Sequence, residues 1–271
     1  MRHYMLTLIY LFLFTSLLNG EIYNGLTLYS NSQGMGPSNT YIINNNYNYL
    51  NVWNHSIGAI GIPHLNPDRS IILQFRSEDH YFGNTHGPVG GILKKIDWDG
   101  NIIWSHSFFN EQFQPHHDIE VLPNGNILII AWEKRSYQDA ISAGRVDITN
   151  EIWPLVIYEI EPSGVADANV VWEWHLWDHL IQDIDSSLIN YGQISEHPEL
   201  IDINIGQFTN PIEGDWLHTN AIAYNNELDQ VVFSSKHFNE IYIIDHSTTS
   251  EEASGHEGGN SGKGGDILYR W

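Results

Sequence analysis

The hydrophobic and polar positions of this chain alternate in short runs that are separated by polar turns. Residues 114–132, for example, read QPHHDIEVLPNGNILIIAW. The turn sequence PNGN between two apolar runs predicts a β-hairpin. The hairpin opens with His116, His117 and Asp118 directly after a proline, and a core strand does not need these residues there. We interpret Asp118 as a turn or supporting acceptor rather than a catalytic acid.

Two hairpin units alternate along the chain. The first unit is a strand, a polar turn and a strand that ends on Trp, in residues 41–53, 93–104, 158–172 and 241–271. The second is a hairpin that opens with histidine, in residues 64–75, 116–132 and 218–235. Joined, the two units make a four-stranded antiparallel sheet, which is the blade of a β-propeller. The pattern predicts an all-β fold with roughly four blades, short helical turns in the insertion at about 178–215, and an exposed loop at 247–265.

A histidine that recurs at one structural position is informative, because equivalent positions of successive blades converge on the central channel. We expect His64, one of His116 and His117, and His218 to lie at equivalent starts of inner strands. The alternative is that these histidines cap strands by bonding to the neighbouring backbone.

Composition narrows the classes of partner. The chain has 271 residues, of which 42% are hydrophobic and 13% aromatic, so it can bury a sizeable core. Its net charge of −22 repels phosphate backbones and anionic membrane surfaces, so we do not expect nucleic acid as a partner. The absence of cysteine excludes a disulfide scaffold and thiolate metal sites.

The first twenty residues predict a signal peptide. Arg2 supplies the basic start, residues 5–18 form an apolar run, and Leu18-Asn19-Gly20 suits cleavage. The run is short for a spanning helix, although an uncleaved anchor is the alternative. We therefore expect a signal peptide at 1–20, a mature domain at 21–271, no membrane span after cleavage, and a secreted or periplasmic protein.

Five stretches of the chain read GPVGGILKKIDWDGNIIWSHSF, QPHHDIEVLPNGNILIIAWEK, VVWEWHLWDHLIQD, DWLHTNAIAYNNELDQVVFSSKHFNEIYIIDHSTTS and GGDILYRW. These stretches resemble signature segments of the arylsulfotransferases (aryl-sulfate sulfotransferases). The resemblance implies a six-bladed propeller outside the cytoplasm. It also implies transfer of a sulfuryl group from a phenolic sulfate ester to a phenol, through a sulfated histidine and without a nucleotide donor. No cofactor or metal is implied, and a homodimer is possible.

The resemblance also implies site residues. The HTN motif matches the family's His-x-Asn, so His218 and Asn220 are expected to bind the sulfuryl group. Lys236 stands where arginine is usual, which keeps the charge but loses the bidentate fork. His116 and His117 occupy the family's histidine-bearing strand, and the sequence leaves open which of them faces the channel. Imidazole suits nucleophilic and proton-transfer roles.

The family's sulfated histidine lies in a later part of the sequence than any segment matched here. We therefore expect the nucleophile beyond residue 271 and interpret the chain as an N-terminal fragment with an incomplete propeller, inactive alone, or as an inactive remnant. Three alternatives stay open: a secreted propeller that only binds, a propeller hydrolase of sulfate or phosphate esters, and a transition-metal site formed by His116, His117 and His218.

Overall fold

The computed structural model describes residues 23–31, 34, 36–77, 79, 81–82, 89–205 and 214–271. The predicted signal peptide at 1–20 lies outside these residues. None of the described helices is both long and apolar enough to cross a membrane.

The strands form four larger antiparallel sheets, each built from strands that follow one another along the chain. The first sheet contains β1 (Leu26–Asn31), β2 (Ser38–Asn44) and β3 (Tyr49–His55). The second contains β4 (Ala59–Leu65), β5 (Ile71–Phe75), β6 (Ile92–Ile96) and β7 (Ile102–Ser107). The third contains β8 (Phe113–Val121), β9 (Ile127–Glu133), β10 (Leu155–Ser163) and β11 (Asp167–His175). The fourth contains β14 (Thr219–Asn225), β15 (Gln230–Ser235), β16 (Glu240–Asp245) and β17 (Tyr269–Arg270).

The predicted all-β, blade-by-blade architecture is confirmed. Each four-stranded sheet joins one hairpin of the histidine-opening unit to one hairpin of the Trp-ending unit. The first strands of successive sheets contact one another in the order β1, β4, β8 and β14. These four are therefore the inner strands of a propeller-like arrangement, and their edges line its centre.

Turn chemistry fixes the register of the hairpins. Asp97 accepts backbone N–H groups from Asp99 at 3.0 Å and Asn101 at 2.8 Å, and Gly100 adopts φ +91° between β6 and β7. Gly125 adopts φ +92° in the corresponding turn between β8 and β9. A side chain at either glycine would strain the left-handed backbone, which explains why glycine stands at both turns.

Blades pack face to face, so their central strands are buried on both sides. In β9, Ile127 and Ile129 belong to the core shared with the second sheet, whereas Leu128 and Ile130 belong to the core shared with the fourth. Successive side chains of a strand point to opposite faces. The run ILIIAW in β9 is therefore continuous rather than alternating because both faces of this strand meet another blade.

The recurring Trp explains the first sequence repeat. Trp53, Trp104 and Trp172 lie on the outermost strands of the first three blades, and their rings are buried. Each indole N–H donates to the next blade: to Asp97 O at 2.7 Å, Asp167 O at 2.9 Å and Thr248 Oγ1 at 3.1 Å, respectively. Each ring thus fills an inter-blade core while its polar edge is hydrogen-bonded, which makes it a latch between neighbouring blades.

The connections between blades hold short local structure. Helix α1 (Tyr137–Ser142) follows β9, and α2 (Ser250–Ala253) follows β16. The insertion begins at a 3₁₀ turn, Leu176–Asp178, and contains a second at Ile194–Glu196, which confirms a predicted helical turn within 178–215. It also contains a parallel pair, β12 (Leu180–Ile181) with β13 (Ile201–Asp202).

The prediction that 247–265 is an exposed loop is wrong in part. Thr248 and Ala253 are buried, because α2 packs against the outer strand β11 of the third blade. A high content of Gly and Ser indicates turns, but it does not reveal that a segment covers its neighbour.

Candidate functional site

A β-bulge recurs in the inner strands of the second, third and fourth blades, and a residue with left-handed backbone lies in it or close to it. The bulges interrupt the pairing of β4 between Ile60 and His64, of β8 between Pro115 and Ile119, and of β14 between Thr219 and Ala221. Left-handed residues lie within the first two bulges, Gly61 with φ +70° and His117 with φ +53°, whereas the left-handed residue of the fourth blade, His218 with φ +50°, stands just before β14. Non-glycine residues held in this region cost about 1–3 kcal/mol each, and such strain concentrates at functional sites.

His64 was predicted to share the recurring position, and this is wrong. The left-handed residue of β4 is Gly61, three residues earlier. His64 lies near the end of β4, and its Nε2 donates to the carbonyl oxygen of Ile119 on β8 at 2.9 Å. It therefore ties two inner strands together, as the capping alternative expected. The left-handed positions of the third and fourth blades carry imidazoles, whereas that of the second blade is a glycine and carries no side chain.

The structure brings His117 and His218 together. Their ring centroids lie 4.8 Å apart at an angle of 72°. His116 lies beneath His117: it is 1% exposed, and it stacks on Trp132 with ring centroids 4.2 Å apart. The sequence left open which of the adjacent histidines reaches the pocket. The partly exposed residue beside His218 is His117, and His116 supports it from the buried side.

Asp215 orients His218. Its carboxylate accepts a short hydrogen bond from His218 Nδ1 and a second bond from Trp132 Nε1 at 2.9 Å. Burial alone would raise the pKa of Asp215, but the hydrogen bonds from His218 and Trp132 oppose this, and the pKa lies below its ordinary value. The ionised carboxylate fixes the Nδ1–H tautomer of His218, so the Nε2 lone pair of that ring is free to take a proton.

His116 and His117 are both neutral at physiological pH. Burial lowers the pKa of His116 well below its usual range, and the neighbouring His117 adds to the effect. Burial, helped by the nearby His218 and Lys236 and opposed by Asp215, lowers the pKa of His117 to about 4. A neutral imidazole has one N–H and one lone pair, so the placement of its proton decides what it can do.

The buried ring of His116 decides which nitrogen carries the proton in both His116 and His117. His116 Nδ1 lies 3.0 Å from His117 Nδ1, and only one of the two can donate. His116 Nε2 is buried and has no hydrogen-bond partner among the described residues. An orphaned buried N–H costs about 1–3 kcal/mol and is rarer than an under-satisfied acceptor. We therefore place the His116 proton on Nδ1, which leaves His117 protonated on Nε2 and able to donate a hydrogen bond.

The remaining predicted residues flank this cluster. Lys236 is exposed, its backbone N–H donates to the carbonyl oxygen of His218 at 3.2 Å, and its charge acts on His117. Asn220 is exposed, and its Oδ1 accepts from Ser234 at 2.7 Å. Two residues apart on one strand, His218 and Asn220 would share a face. His218 instead precedes β14 and is left-handed, so the period of two does not apply to this pair. Binding of the sulfuryl group by Asn220 stays a prediction.

Asp118 has the supporting role expected from the sequence. Its two carboxylate oxygens face the backbone N–H groups of Ile62 on β4 and Ile222 on β14, each at 3.4 Å. Burial raises the pKa of Asp118, while these contacts oppose the rise. The carboxylate thus bridges the inner strands of three consecutive blades next to the histidine bulge.

Two groups of side chains in the described part of the chain bring metal-ligand atoms within 4.8 Å of one another: Asp215, His218 and His237, and His179, His256 and Asp266. The sequence alternative of a site formed by His116, His117 and His218 is not among them. In the first group, His237 Nδ1 donates to Trp216 O at 3.1 Å and its ring lies 4.9 Å from that of His218.

Comparison with known proteins decides the family. A family model described as "Arylsulfotransferase (ASST)" matches residues 21–251. The chain belongs to the arylsulfotransferase family. The match supports an arylsulfotransferase-type function in general, with an aryl sulfate and a phenol as the small-molecule substrates that the family implies. No curated protein matches the chain.

Three residues of the cluster around His117 and His218 were not predicted from the sequence. Asp215 and Trp132 hold His218 in its tautomer, and His237 adds a third imidazole on the far side of His218. The signal for Asp215 was present in the DWLHTN segment, since a carboxylate three residues before a histidine can reach its Nδ1 when the histidine adopts a left-handed turn. Only the backbone conformation of His218 shows that it does.

Proposed function

We propose that the protein is an aryl-sulfate sulfotransferase, which moves a sulfuryl group from a phenolic sulfate ester to a phenol through a sulfated histidine, without a nucleotide donor. The observation that carries the proposal is the pairing of the left-handed residues His117 and His218 from the inner strands of adjacent blades, with Asp215 bound to the second ring and Lys236 beside it. These groups supply a hydrogen-bond donor, a proton carrier and a cation around one point.

The reaction requires two displacements at sulfur. In the first, an imidazole nitrogen bonds to sulfur, the bond from sulfur to the aryl oxygen breaks, and the leaving phenolate takes a proton. In the second, the oxygen of the acceptor phenol bonds to sulfur, the N–S bond breaks, and the phenol proton passes to a base. A covalent intermediate divides one difficult transfer into two easier ones. We assign the sulfated histidine to none of the described residues.

His218 is the group that we assign to proton transfer. Asp215 holds its Nδ1–H, so a proton gained on Nε2 produces an imidazolium that the carboxylate stabilises. Such a ring can protonate the leaving phenolate and then recover the proton from the acceptor phenol. General acid–base catalysis of this kind contributes roughly 10²–10⁴-fold to a rate.

His117, Lys236 and Asn220 are the groups that we assign to binding. His117 carries its proton on Nε2 and stays neutral, so it donates a hydrogen bond to a sulfuryl oxygen without transferring the proton. Lys236 supplies a positive charge and Asn220 an amide N–H. Donors that are fixed in position before the reaction stabilise charge where it develops in the transition state. The role of His116 is to position His117.

Product analysis tests the proposal. The full-length protein is incubated with p-nitrophenyl sulfate and phenol, with no nucleotide, and the products are identified by mass spectrometry. Formation of phenyl sulfate supports the proposal. Formation of inorganic sulfate alone would assign a hydrolase, and binding of the aryl sulfate without turnover would assign a binding module. His218→Ala should abolish proton transfer, whereas His197→Ala, a half-exposed control in the insertion, should not change the rate.

We also propose that the protein works outside the cytoplasm. The basic, apolar and small-residue parts of residues 1–20 support this proposal. Fusion of residues 1–20 to a reporter enzyme that is active only after export should yield reporter activity. The reporter should stay inactive when two leucines of the apolar run are replaced by lysine, and activity that survives this replacement would contradict the proposal.

A further inference from the structure

A second cluster of imidazole and carboxylate groups lies outside the inner-strand site. His179 follows the first 3₁₀ turn of the insertion, and His256 and Asp266 belong to the segment after α2. Asp266 Oδ1 lies 2.9 Å from His179 Nδ1 and 2.7 Å from His256 Nδ1. His179 is completely buried, whereas the His256 side chain is 59% exposed. Nothing in the proposed transfer reaction uses these three side chains.

The hydrogen bonds of His179 indicate which nitrogen carries its proton. His179 Nε2 lies 2.9 Å from the carbonyl oxygen of Ala253, which can only accept, so this nitrogen is protonated. A neutral His179 then presents the lone pair of Nδ1 to the carboxylate oxygen of Asp266. Two acceptors at this distance need a positive centre close to both. An additional proton or a metal ion can supply it.

The surroundings favour a metal ion over a proton. An ion pair needs only His179 and Asp266, yet His256 brings a third ligand atom to the same oxygen. Metal-binding histidines commonly donate their other N–H to a backbone carbonyl, and His179 does so to Ala253. Trp174 stacks on the His179 ring at 5.4 Å and 6°, which fixes its plane.

The geometry suits a tetrahedral ion after a small adjustment. All the ligand atoms lie within 4.8 Å of one another. With bonds of about 2.1 Å, the ligand atoms of a tetrahedral Zn²⁺ site lie roughly 3.4 Å apart. The N–O separations of 2.9 Å and 2.7 Å would widen by roughly 0.5–0.7 Å. His256 can move by this amount because it is exposed.

Three protein ligands leave a fourth position open. His256 also lines a cavity of about 710 Å³, together with Trp177, Tyr191 and His197. Zinc sites with three protein ligands use the fourth position for water or a small ligand. Neutral imidazoles and a carboxylate, without thiolates, are ligands that divalent first-row ions such as Zn²⁺ accept.

We propose that His179, His256 and Asp266 form a binding site for a divalent transition-metal ion of the Zn²⁺ class, distinct from the His117–His218 cluster and open towards the cavity beside it.

Metal titration tests this site directly. Protein without a histidine tag is dialysed against a chelator, and Zn²⁺ is added in competition with a chromophoric chelator. The wild type should bind one ion at this site. His256→Gln removes an exposed ligand, so the fold should survive, which circular dichroism checks. Changes in the groups behind zinc ligands already cost 10–100-fold in affinity, so loss of a ligand should cost about 100-fold or more.

Two control variants separate this site from its rivals. His197→Gln changes the same cavity without removing a proposed ligand, and its affinity should equal that of the wild type. His237→Gln changes the other group of ligand atoms. Unchanged binding in His256→Gln would overturn the proposal, as would loss of binding in His237→Gln alone, which would assign the ion to the Asp215 group. Absence of Zn²⁺ binding in the wild type would show that a proton fills the place of the metal.

Discussion

Asp215→Asn is the most informative single change, because it alters the tautomer of His218 and little else. The asparagine oxygen can still accept from Trp132, so the packing of the site is preserved. The hydrogen bond from His218 Nδ1 loses its charged partner. Such charge-assisted bonds contribute about 1.5–3 kcal/mol. Since about 1.4 kcal/mol corresponds to a tenfold change in rate, kcat should fall roughly 10- to 160-fold.

The assay uses the full-length protein and compares two donors, p-nitrophenyl sulfate and phenyl sulfate, with the same acceptor, 1-naphthol, so that the product differs from both donors. Phenolate is the more basic leaving group and depends more on a proton from His218. The loss in kcat should therefore be larger with phenyl sulfate, while KM changes little. A residue with a purely structural role would not produce this dependence on the leaving group. Asp229→Asn is the matched control, since Asp229 also binds a histidine, at 2.8 Å from His246 Nδ1, but outside the cluster.

Two outcomes would refute the reasoning about Asp215. One is an Asp215→Asn protein with unchanged kcat on both donors, which would show that the tautomer of His218 does not matter. The other is an equal loss in Asp229→Asn, which would trace the effect to general destabilisation rather than to the site.

Three further predictions concern charge, pH and backbone strain. Lys236→Arg should keep or improve the affinity for an aryl sulfate, because the guanidinium fork can bind two oxygens. Lys236→Ala should weaken this affinity about tenfold. An unchanged affinity in the alanine variant, measured by calorimetry, would show that Lys236 does not belong to the site. His246 bonds to Glu159 and Asp229 at 2.8 Å each; burial acts to lower its pKa, but the two carboxylates outweigh burial and raise it. The stability that protonated His246 gains from the two carboxylates is complete below the unfolded pKa of about 6.5 and is lost as pH rises through the folded pKa. The difference in Tm between the wild type and His246→Gln should therefore shrink above about pH 6.5. A difference that grows with pH would contradict this pH dependence. Gly61→Ala places a Cβ 2.6 Å from the carbonyl oxygen of His117, at a backbone φ of +70°. The free energy of unfolding should therefore fall by about 1–3 kcal/mol. Urea denaturation that shows no loss of stability would contradict the close approach of these inner strands.

Local patterns predicted the blades because hairpins are specified by neighbouring residues. The Asp-Gly and Asn-Gly turns and the recurring Trp depend on residues close in sequence, and the structure contains each of them in the predicted place. The role of the Trp side chains as latches could not be predicted. Their partners, such as Asp167 for Trp104, lie about sixty residues away on the next blade.

The site was predicted only in part, because bulges break the simple alternation of a strand. The expectation that His64 is equivalent to His218 counted residues from the start of a hairpin, whereas the structure aligns the left-handed positions. The same irregularity decides that His117, and not His116, lies beside His218. Asp215 and His237 gain their roles from the left-handed turn at His218, which the spacing of Asp215 and His218 permits but does not reveal.

The most direct test of the central claim is the position of a bound substrate mimic. Benzylsulfonate replaces the ester oxygen of an aryl sulfate by a methylene group, so it binds without transferring its sulfonate. A crystal structure of the complex should place the sulfonate between His117 and His218, with an oxygen within hydrogen-bond distance of His117 Nε2 and another facing Lys236. A sulfonate bound elsewhere, with none between His117 and His218, would contradict the assignment of this cluster as the sulfuryl-transfer site.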